Sequence, residues 1–121
     1  MLSQAKVYVA QLGEIPVGAA RLVRLKADKF GRPRSAIVLC DATETLHAYL
    51  NECRHLPIPL DAGSGQVWNI ERTHLLCSTH GAMYRPDDGL CVAGPCAGAS
   101  LLRLDVAIEG ADVFVVDDDT L

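Results

Sequence analysis

The chain has 121 residues, of which 50% are hydrophobic and 21% are charged, and its net charge is −4 at neutral pH. We expect a single domain over residues 1–121, since this length leaves no room for a second, catalytic domain. Its 11 Lys and Arg residues are dispersed along an acidic chain, which argues against nucleic-acid binding. No apolar stretch approaches the roughly 18 residues of a membrane span, and no signal-peptide pattern is present. We therefore expect no membrane association and a cytoplasmic location.

Short runs with β-branched or leucine-rich character, divided by Gly, Pro, Asp and Asn, predict β-strands along most of the chain. In chain order these runs are residues 6–10, 20–25, 35–40, 45–50, 66–70 and 74–77. Residues 12–16 are interpreted as one helical turn, and residues 26–33 as a polar hairpin loop. No long amphipathic helix is predicted.

The C-terminal part, residues 102–116, predicts a β-hairpin. Leu104, Val106 and Ile108 alternate with polar or small residues, and the turn chemistry of residues 109–112 precedes an apolar return strand. Many short strands at this spacing are typical of a small antiparallel barrel or sandwich. The predicted fold class is therefore all-β.

Two mixed pairs of metal-ligand residues lie in loop-like stretches. Cys53 and His55 form the first, Cys77 and His80 the second, and 21 residues separate the pairs. Thiolate sulfur suits zinc and iron–sulfur clusters, and imidazole suits zinc and iron among others, so both zinc and an iron–sulfur cluster are candidates. Zinc sites of the Cys2His2 type usually combine one pair of cysteines with one pair of histidines. Two matched mixed loops can instead grip a two-iron cluster if each iron collects like ligands.

The surrounding sequence resembles the Rieske ferredoxins. His80 and the following Gly81, Ala82 and Tyr84 resemble the second cluster loop, residues 86–89 its turn, and Gly94 with Pro95 the covering proline loop. The resemblance spans about residues 7–116, although only the ligand loops are specific, and places the cluster-binding part at about residues 51–98. It implies one [2Fe-2S] cluster per chain, with both cysteines on one iron and both histidines on the other.

Two departures from the respiratory-chain branch of this family bear on the redox potential. That branch has a disulfide between its cluster loops, and the matching positions here are Ile58 and Thr79. It also places a serine and a tyrosine hydroxyl against cluster sulfur, and the matching residues here are Ala82 and Tyr84. Hydrogen bonds to cluster sulfur stabilise the reduced state, so losing one lowers the potential. We expect an intermediate to low potential for a Rieske centre.

Three cysteines and two histidines lie outside the two ligand pairs. Cys40 ends an apolar run and is expected to be a buried small hydrophobe. For Cys91 and Cys96 three alternatives stay open: free thiols, which a reducing compartment favours, a local disulfide, or direct metal ligation. His47 and His74 lie in strand-like segments and do not provide the two-His, one-carboxylate iron site of a Rieske oxygenase.

The resemblance implies a one-electron carrier rather than an enzyme, with a flavin-containing reductase as donor and an oxygenase or related redox enzyme as acceptor. Three alternatives remain: a small iron–sulfur subunit of a reductase complex, a structural zinc-binding interaction module, and a redox sensor. Leu56, Ile58 and the neighbouring prolines are either an apolar docking rim or ordinary core residues.

Overall fold

The computed structural model describes residues 5–118, which form ten short β-strands and no helix. The strands are β1 (Ala5–Gln11), β2 (Ala20–Leu25), β3 (Arg34–Cys40), β4 (Leu46–Leu50), β5 (Leu75–Leu76), β6 (Met83–Tyr84), β7 (Cys91–Ala93), β8 (Arg103–Leu104), β9 (Val106–Glu109) and β10 (Asp112–Asp117). The predicted all-β class is confirmed. Over residues 5–118, the structure contains no helix with the length and apolar character to cross a membrane.

The strands form three antiparallel sheets. Their orders are β1-β10-β9, β2-β3-β4-β8 and β5-β6-β7. The third, smallest sheet lies entirely within the part of the chain that carries the predicted ligands. The fold therefore consists of two larger sheets and a small appended sheet that includes the second ligand loop.

Strand β3 is buried on both faces because it lies between two hydrophobic cores. One core, called here the site core, comprises Ile37, Leu39, Tyr49, Cys53, Leu60, Val67, Trp68, Leu75, Cys77, Ala82, Tyr84, Cys91 and Leu101. The other, the base core, comprises Val9, Ala10, Ile15, Leu25, Ala36, Val38, Cys40, Ala48, Leu50, Leu104, Val113 and Val115. Since successive side chains of a strand point to opposite faces, alternate residues of β3 enter alternate cores. This explains why residues 36–40 read as a continuous apolar run. The expected burial of Cys40 is also confirmed.

The predicted strands at residues 6–10, 20–25, 35–40 and 45–50, and the C-terminal hairpin, are confirmed to within a few residues at their ends. The predicted strand at residues 66–70 is wrong. Trp68 makes one isolated bridge to Leu75, and the chain then turns tightly, with the Asn69 carbonyl accepting from the Arg72 N–H at 3.0 Å. Residues 12–16 also form non-helical turns. Strands β6 and β7 were missed, because two or three residues are too short to show alternation.

A buried carboxylate organises the turn between β3 and β4. Asp41 accepts hydrogen bonds from the Thr43 and Thr45 backbone N–H groups at 2.8 and 3.0 Å and from the Thr43 hydroxyl at 2.7 Å. His47 Nε2 lies 2.6 Å from its other oxygen. Burial raises the pKa of Asp41, but these hydrogen bonds outweigh burial and hold that pKa well below its usual range. His47 is thus a packed structural histidine, as expected.

A buried ion pair ties the C-terminal strand β10 to the start of β3. Arg34 donates to Asp117 Oδ1 at 2.7 Å, and the side chains are 8% and 4% exposed. The other Asp117 oxygen accepts from the Lys26 backbone N–H at 2.8 Å. Both carboxylate oxygens are therefore satisfied away from water, which such a pair requires.

Candidate metal centre

The first ligand loop, residues 51–60, is closed by one buried asparagine. Asn51 Oδ1 accepts from the Leu60 N–H at 2.8 Å, and Asn51 Nδ2 donates to Asp61 Oδ1 at 3.1 Å. Within the loop, the Cys53 N–H donates to the Ile58 carbonyl at 2.8 Å. These bonds hold the two ends of the loop together, so that the loop presents the first ligand pair between them.

The second ligand loop is the turn that joins β5 to β6. The Cys77 N–H donates to the Ala82 carbonyl at 2.8 Å, and the Gly81 N–H donates back to the Cys77 carbonyl at 2.9 Å. Gly81 has a φ of +76°, a conformation that favours glycine. Ser78 connects the two loops, because its N–H and its hydroxyl both donate to the Leu60 carbonyl at 3.0 Å.

The two loops bring like ligands together. Cys53 and Cys77 are 3% and 0% exposed, and each thiol shifts the pKa of the other. The His55 and His80 rings are exposed, with centroids 4.7 Å apart and planes at 84°. Within residues 5–118, no three His, Cys, Asp or Glu side chains are grouped around a single metal position. The arrangement is a buried sulfur pair beneath an exposed nitrogen pair.

Hydrogen bonds make the two thiols electrostatically different. Burial raises the pKa of Cys53, but hydrogen bonds from the Tyr84 hydroxyl and the His55 backbone N–H outweigh it, so the pKa lies below its usual value. Burial dominates at Cys77 and raises the pKa of that thiol. Cys53 therefore ionises more readily than Cys77, and the thiolate is the form that binds metal.

Tyr84 is fully buried beneath the first ligand pair. Its hydroxyl lies 3.3 Å from Cys53 Sγ and accepts from the Arg54 N–H at 2.9 Å. Burial, with the neighbouring Cys53 next in importance, raises the pKa of Tyr84, so the hydroxyl stays protonated. Tyr84 thus supplies a hydroxyl beside the Cys53 sulfur.

The predicted covering loop lies against Ala82, at the end of the second ligand loop. Gly94 has a φ of +97°, and a Cβ atom there would lie 2.7 Å from Ala82 Cα. The neighbouring Pro95 is exposed, and Ala82 is fully buried. Contact this close requires glycine at position 94.

The suggested apolar rim is divided between surface and core. Leu56 is 42% exposed, and Pro57, Pro59 and Pro95 are also exposed. Ile58 instead packs against the site core. Leu56 and the prolines thus lie at the surface, as a docking rim requires, whereas Ile58 is a partly buried residue of the core.

Cys91 and Cys96 are free thiols, in agreement with the first of the three sequence alternatives. Their Sγ atoms are 3.3 Å apart, and Cys96 Sγ also lies 3.1 Å from the Tyr84 hydroxyl. Sequence reasoning missed this contact with Tyr84. The only signal was that both cysteines flank the glycine and proline of the covering loop.

Comparison with known proteins identifies the family. The model of the Rieske [2Fe-2S] domain matches residues 5–117. The chain belongs to the Rieske [2Fe-2S] domain family. A comparison with curated protein sequences finds no match.

Several solved structures are similar in fold. The ferredoxin of carbazole 1,9a-dioxygenase from Nocardioides aromaticivorans IC177 is 26% identical, with a TM-score of 0.60, covering 92% of this chain and 96% of that one. The terminal oxygenase of carbazole 1,9a-dioxygenase from Novosphingobium sp. KA1 is 23% identical, with a TM-score of 0.67 and coverages of 91% and 29%. A reduced oxygenase–ferredoxin complex of carbazole 1,9a-dioxygenase matches at 21% identity, with a TM-score of 0.65 and coverages of 93% and 27%. This Rieske chain thus spans less than a third of the oxygenase chains and nearly all of the ferredoxin.

Family membership settles the cofactor class. A Rieske protein carries a [2Fe-2S] cluster, as the family resemblance implied, and two buried thiols with two exposed imidazoles are a donor set that fits this cluster. The zinc-module alternative is not supported. The family and the ferredoxin match both favour the expected one-electron carrier.

Proposed function

We propose that this Rieske protein passes single electrons from a flavin-containing reductase to an oxygenase. Cys53 and Cys77 would bind one iron of the cluster, and His55 and His80 the other. The observation that carries the proposal is the segregation of these side chains into a buried thiol pair and an exposed imidazole pair. The bound cluster supplies reversible one-electron chemistry.

The residues around the pairs have separate roles in this proposal. The site core keeps water from the two cysteines, while the exposed imidazoles of His55 and His80 offer a partner the shortest approach. Tyr84 holds a hydroxyl beside Cys53, where a hydrogen bond to sulfur favours the reduced state. Gly94 lets the covering loop close against the second ligand loop.

The choice of acceptor is supported by the similar ferredoxin and by the matched complexes of an oxygenase with a ferredoxin. Leu56 and the exposed prolines give the imidazole end a small apolar rim. Transient redox contacts bury less area than stable complexes, so a rim of this kind suits a shuttle. The flavin reductase follows from the family resemblance alone. A cytoplasmic location is supported by the free thiols of Cys40, Cys91 and Cys96, which lie outside the ligand pairs.

Metal analysis of variants tests the ligand assignment. The purified protein should contain two irons and two acid-labile sulfides per chain and should give an electron paramagnetic resonance signal when reduced. Cys53→Ser and His80→Ala should each abolish this loading. The matched controls Cys40→Ser and His74→Ala change the same residue types outside the two pairs and should retain it. Full loading in Cys53→Ser, or one zinc per chain in the unaltered protein, would contradict the assignment.

Electron delivery tests the partner assignment. The reduced protein is mixed anaerobically with an oxidised Rieske oxygenase, and reoxidation is followed by its visible absorption. A rate that rises with oxygenase concentration, and falls when Leu56 is replaced by Asp, is expected. Reoxidation no faster than in buffer would refute the assignment to this acceptor class.

A further inference from the structure

Two cysteines that the proposed cluster does not use lie behind Tyr84, the residue whose hydroxyl contacts Cys53. Cys91 is on β7, and the irregular pairing of β6 with β7 places it opposite Tyr84. Cys96 follows on the covering loop, and the two Sγ atoms are 3.3 Å apart. Because a disulfide bond is about 2.05 Å long, a closure of roughly 1.3 Å would join them.

The loop between these cysteines is short and exposed. Its base is closed by Cys91, whose N–H donates to the Ala99 carbonyl at 2.7 Å and whose carbonyl accepts from the Gly98 N–H at 2.9 Å. Gly94, Pro95, Ala97 and Gly98 are exposed and Cys96 is half-buried, while Cys91 is 2% exposed. Cys96 is therefore the thiol that a reagent reaches first, and Cys91 is positioned behind it to resolve the product.

We propose that Cys91 and Cys96 form a reversible dithiol–disulfide pair that adjusts the redox potential of the cluster through Tyr84. The oxidant is a low-molecular-weight disulfide, RSSR. The Cys96 thiolate attacks one sulfur of RSSR, forms a mixed disulfide and releases one RS⁻. Cys91 then attacks the Cys96 sulfur and releases the second RS⁻. The two cysteine protons end on the two released thiols, so two cysteine thiols and RSSR give one protein disulfide and two RSH.

The hydrogen-bond order in the dithiol form explains the coupling. Cys91 donates to the Ala93 carbonyl at 3.2 Å, and Cys96 donates to Cys91. Cys96 has then used its only hydrogen and can only accept from the Tyr84 hydroxyl, at 3.1 Å. The same hydroxyl lies 3.3 Å from Cys53 Sγ. Cys96 and Cys53 therefore share a single hydroxyl hydrogen.

Disulfide formation removes this competition. Bonding to Cys91 draws the Cys96 sulfur away from Tyr84, and the hydroxyl then donates to Cys53 alone. A stronger hydrogen bond to a cluster sulfur favours the reduced cluster, so the midpoint potential rises. This coupling rests on the proposed ligand role of Cys53, whereas formation of the disulfide does not.

The experiment equilibrates the cluster-loaded protein with glutathione mixtures of increasing oxidised fraction, and two quantities are read separately. Peptide mass analysis should show one peptide containing Cys91 and Cys96 that is 2 Da lighter, with no glutathione attached. Voltammetry should show a rise in midpoint potential with unchanged iron content. One hydrogen bond is worth about a three- to tenfold change in an equilibrium constant. At 59 mV per tenfold for one electron, the expected rise is about 30–60 mV.

Variants separate the two steps. Cys91→Ser should form no intramolecular disulfide and should keep one potential in all mixtures, whereas the control Cys40→Ala should respond like the unaltered protein. Tyr84→Phe should still form the disulfide, but its potential should not change. The proposal is overturned if both cysteines stay reduced in fully oxidised glutathione, if each is only glutathionylated, or if the disulfide forms without a potential shift. Failure of iron loading would instead overturn the ligand assignment, which the peptide masses do not test.

Discussion

Replacing Gly94 by alanine tests whether the covering loop holds the cluster site closed. Gly94 has a φ of +97°, and an added Cβ would lie 2.7 Å from Ala82 Cα and 3.1 Å from Ala82 N. Gly98, on the same loop, has a φ of +95°, and an added Cβ there would meet nothing within 4 Å. The two substitutions therefore impose nearly the same backbone strain, and only Gly94→Ala adds a steric clash.

The expected magnitudes follow from this difference. An alanine in the left-handed backbone conformation costs about 1–2 kcal/mol, so both substitutions lower the free energy of unfolding by this amount. Carbon atoms in good contact lie about 3.5–4.0 Å apart, so Gly94→Ala must push the loop away from Ala82 by about 1 Å. Overpacking of this kind costs about 1–3 kcal/mol. Gly94→Ala should thus be less stable than Gly98→Ala by about 1–3 kcal/mol, in addition to the shared strain.

The apparent Tm of the two variants and of the unaltered protein is measured at one heating rate, because loss of the cluster makes unfolding irreversible. For a domain of this size, 1 kcal/mol corresponds to about 3–6 °C in apparent Tm. Bleaching of the visible absorption at fixed temperature, with an iron chelator present, should also be faster in Gly94→Ala. Equal melting and equal bleaching of the two variants would refute the argument that contact with Ala82 closes the site.

Three further substitutions test other contacts. Tyr84→Phe should retain the cluster but lower its midpoint potential by about 20–60 mV by voltammetry, since it removes the hydroxyl beside Cys53; an unchanged potential would contradict this. Asp41→Asn should destabilise the protein by about 1–3 kcal/mol at neutral pH in chemical denaturation. Because the folded-state pKa of Asp41 is lowered, its contribution to the free energy of unfolding is present above about pH 4 and is lost as the pH falls. The difference in free energy of unfolding between the variant and the unaltered protein should therefore narrow in acid. A difference independent of pH would contradict this. Asp117→Ala should cost about 3–5 kcal/mol, because it removes the buried carboxylate to which the Arg34 guanidinium donates; a loss below 1 kcal/mol would show that the pair is effectively solvated.

The long strands and the ligand residues could be predicted from the sequence because their signals are local. Alternation of apolar with polar or small residues is visible along residues 102–116 without any tertiary contact, and the continuous apolar run at residues 36–40 marks a strand buried on both faces. Ligand chemistry is also local, since a thiol and an imidazole two or three residues apart can approach one cluster whatever the rest of the chain does. The family resemblance extended this local signal to the cofactor.

Other features were decided only by the tertiary structure. The strands β6 and β7 exist because they pair within the small sheet, and the expected strand at residues 66–70 is lost to the turn that Asn69 closes. The pairing of like ligands depends on two loops that meet where Ser78 donates to the Leu60 carbonyl, and these two residues are far apart in the sequence. The contact of Cys96 with Tyr84 likewise requires the covering loop to fold back over β6. Such contacts depend on how distant segments pack, and no short stretch of sequence contains that information.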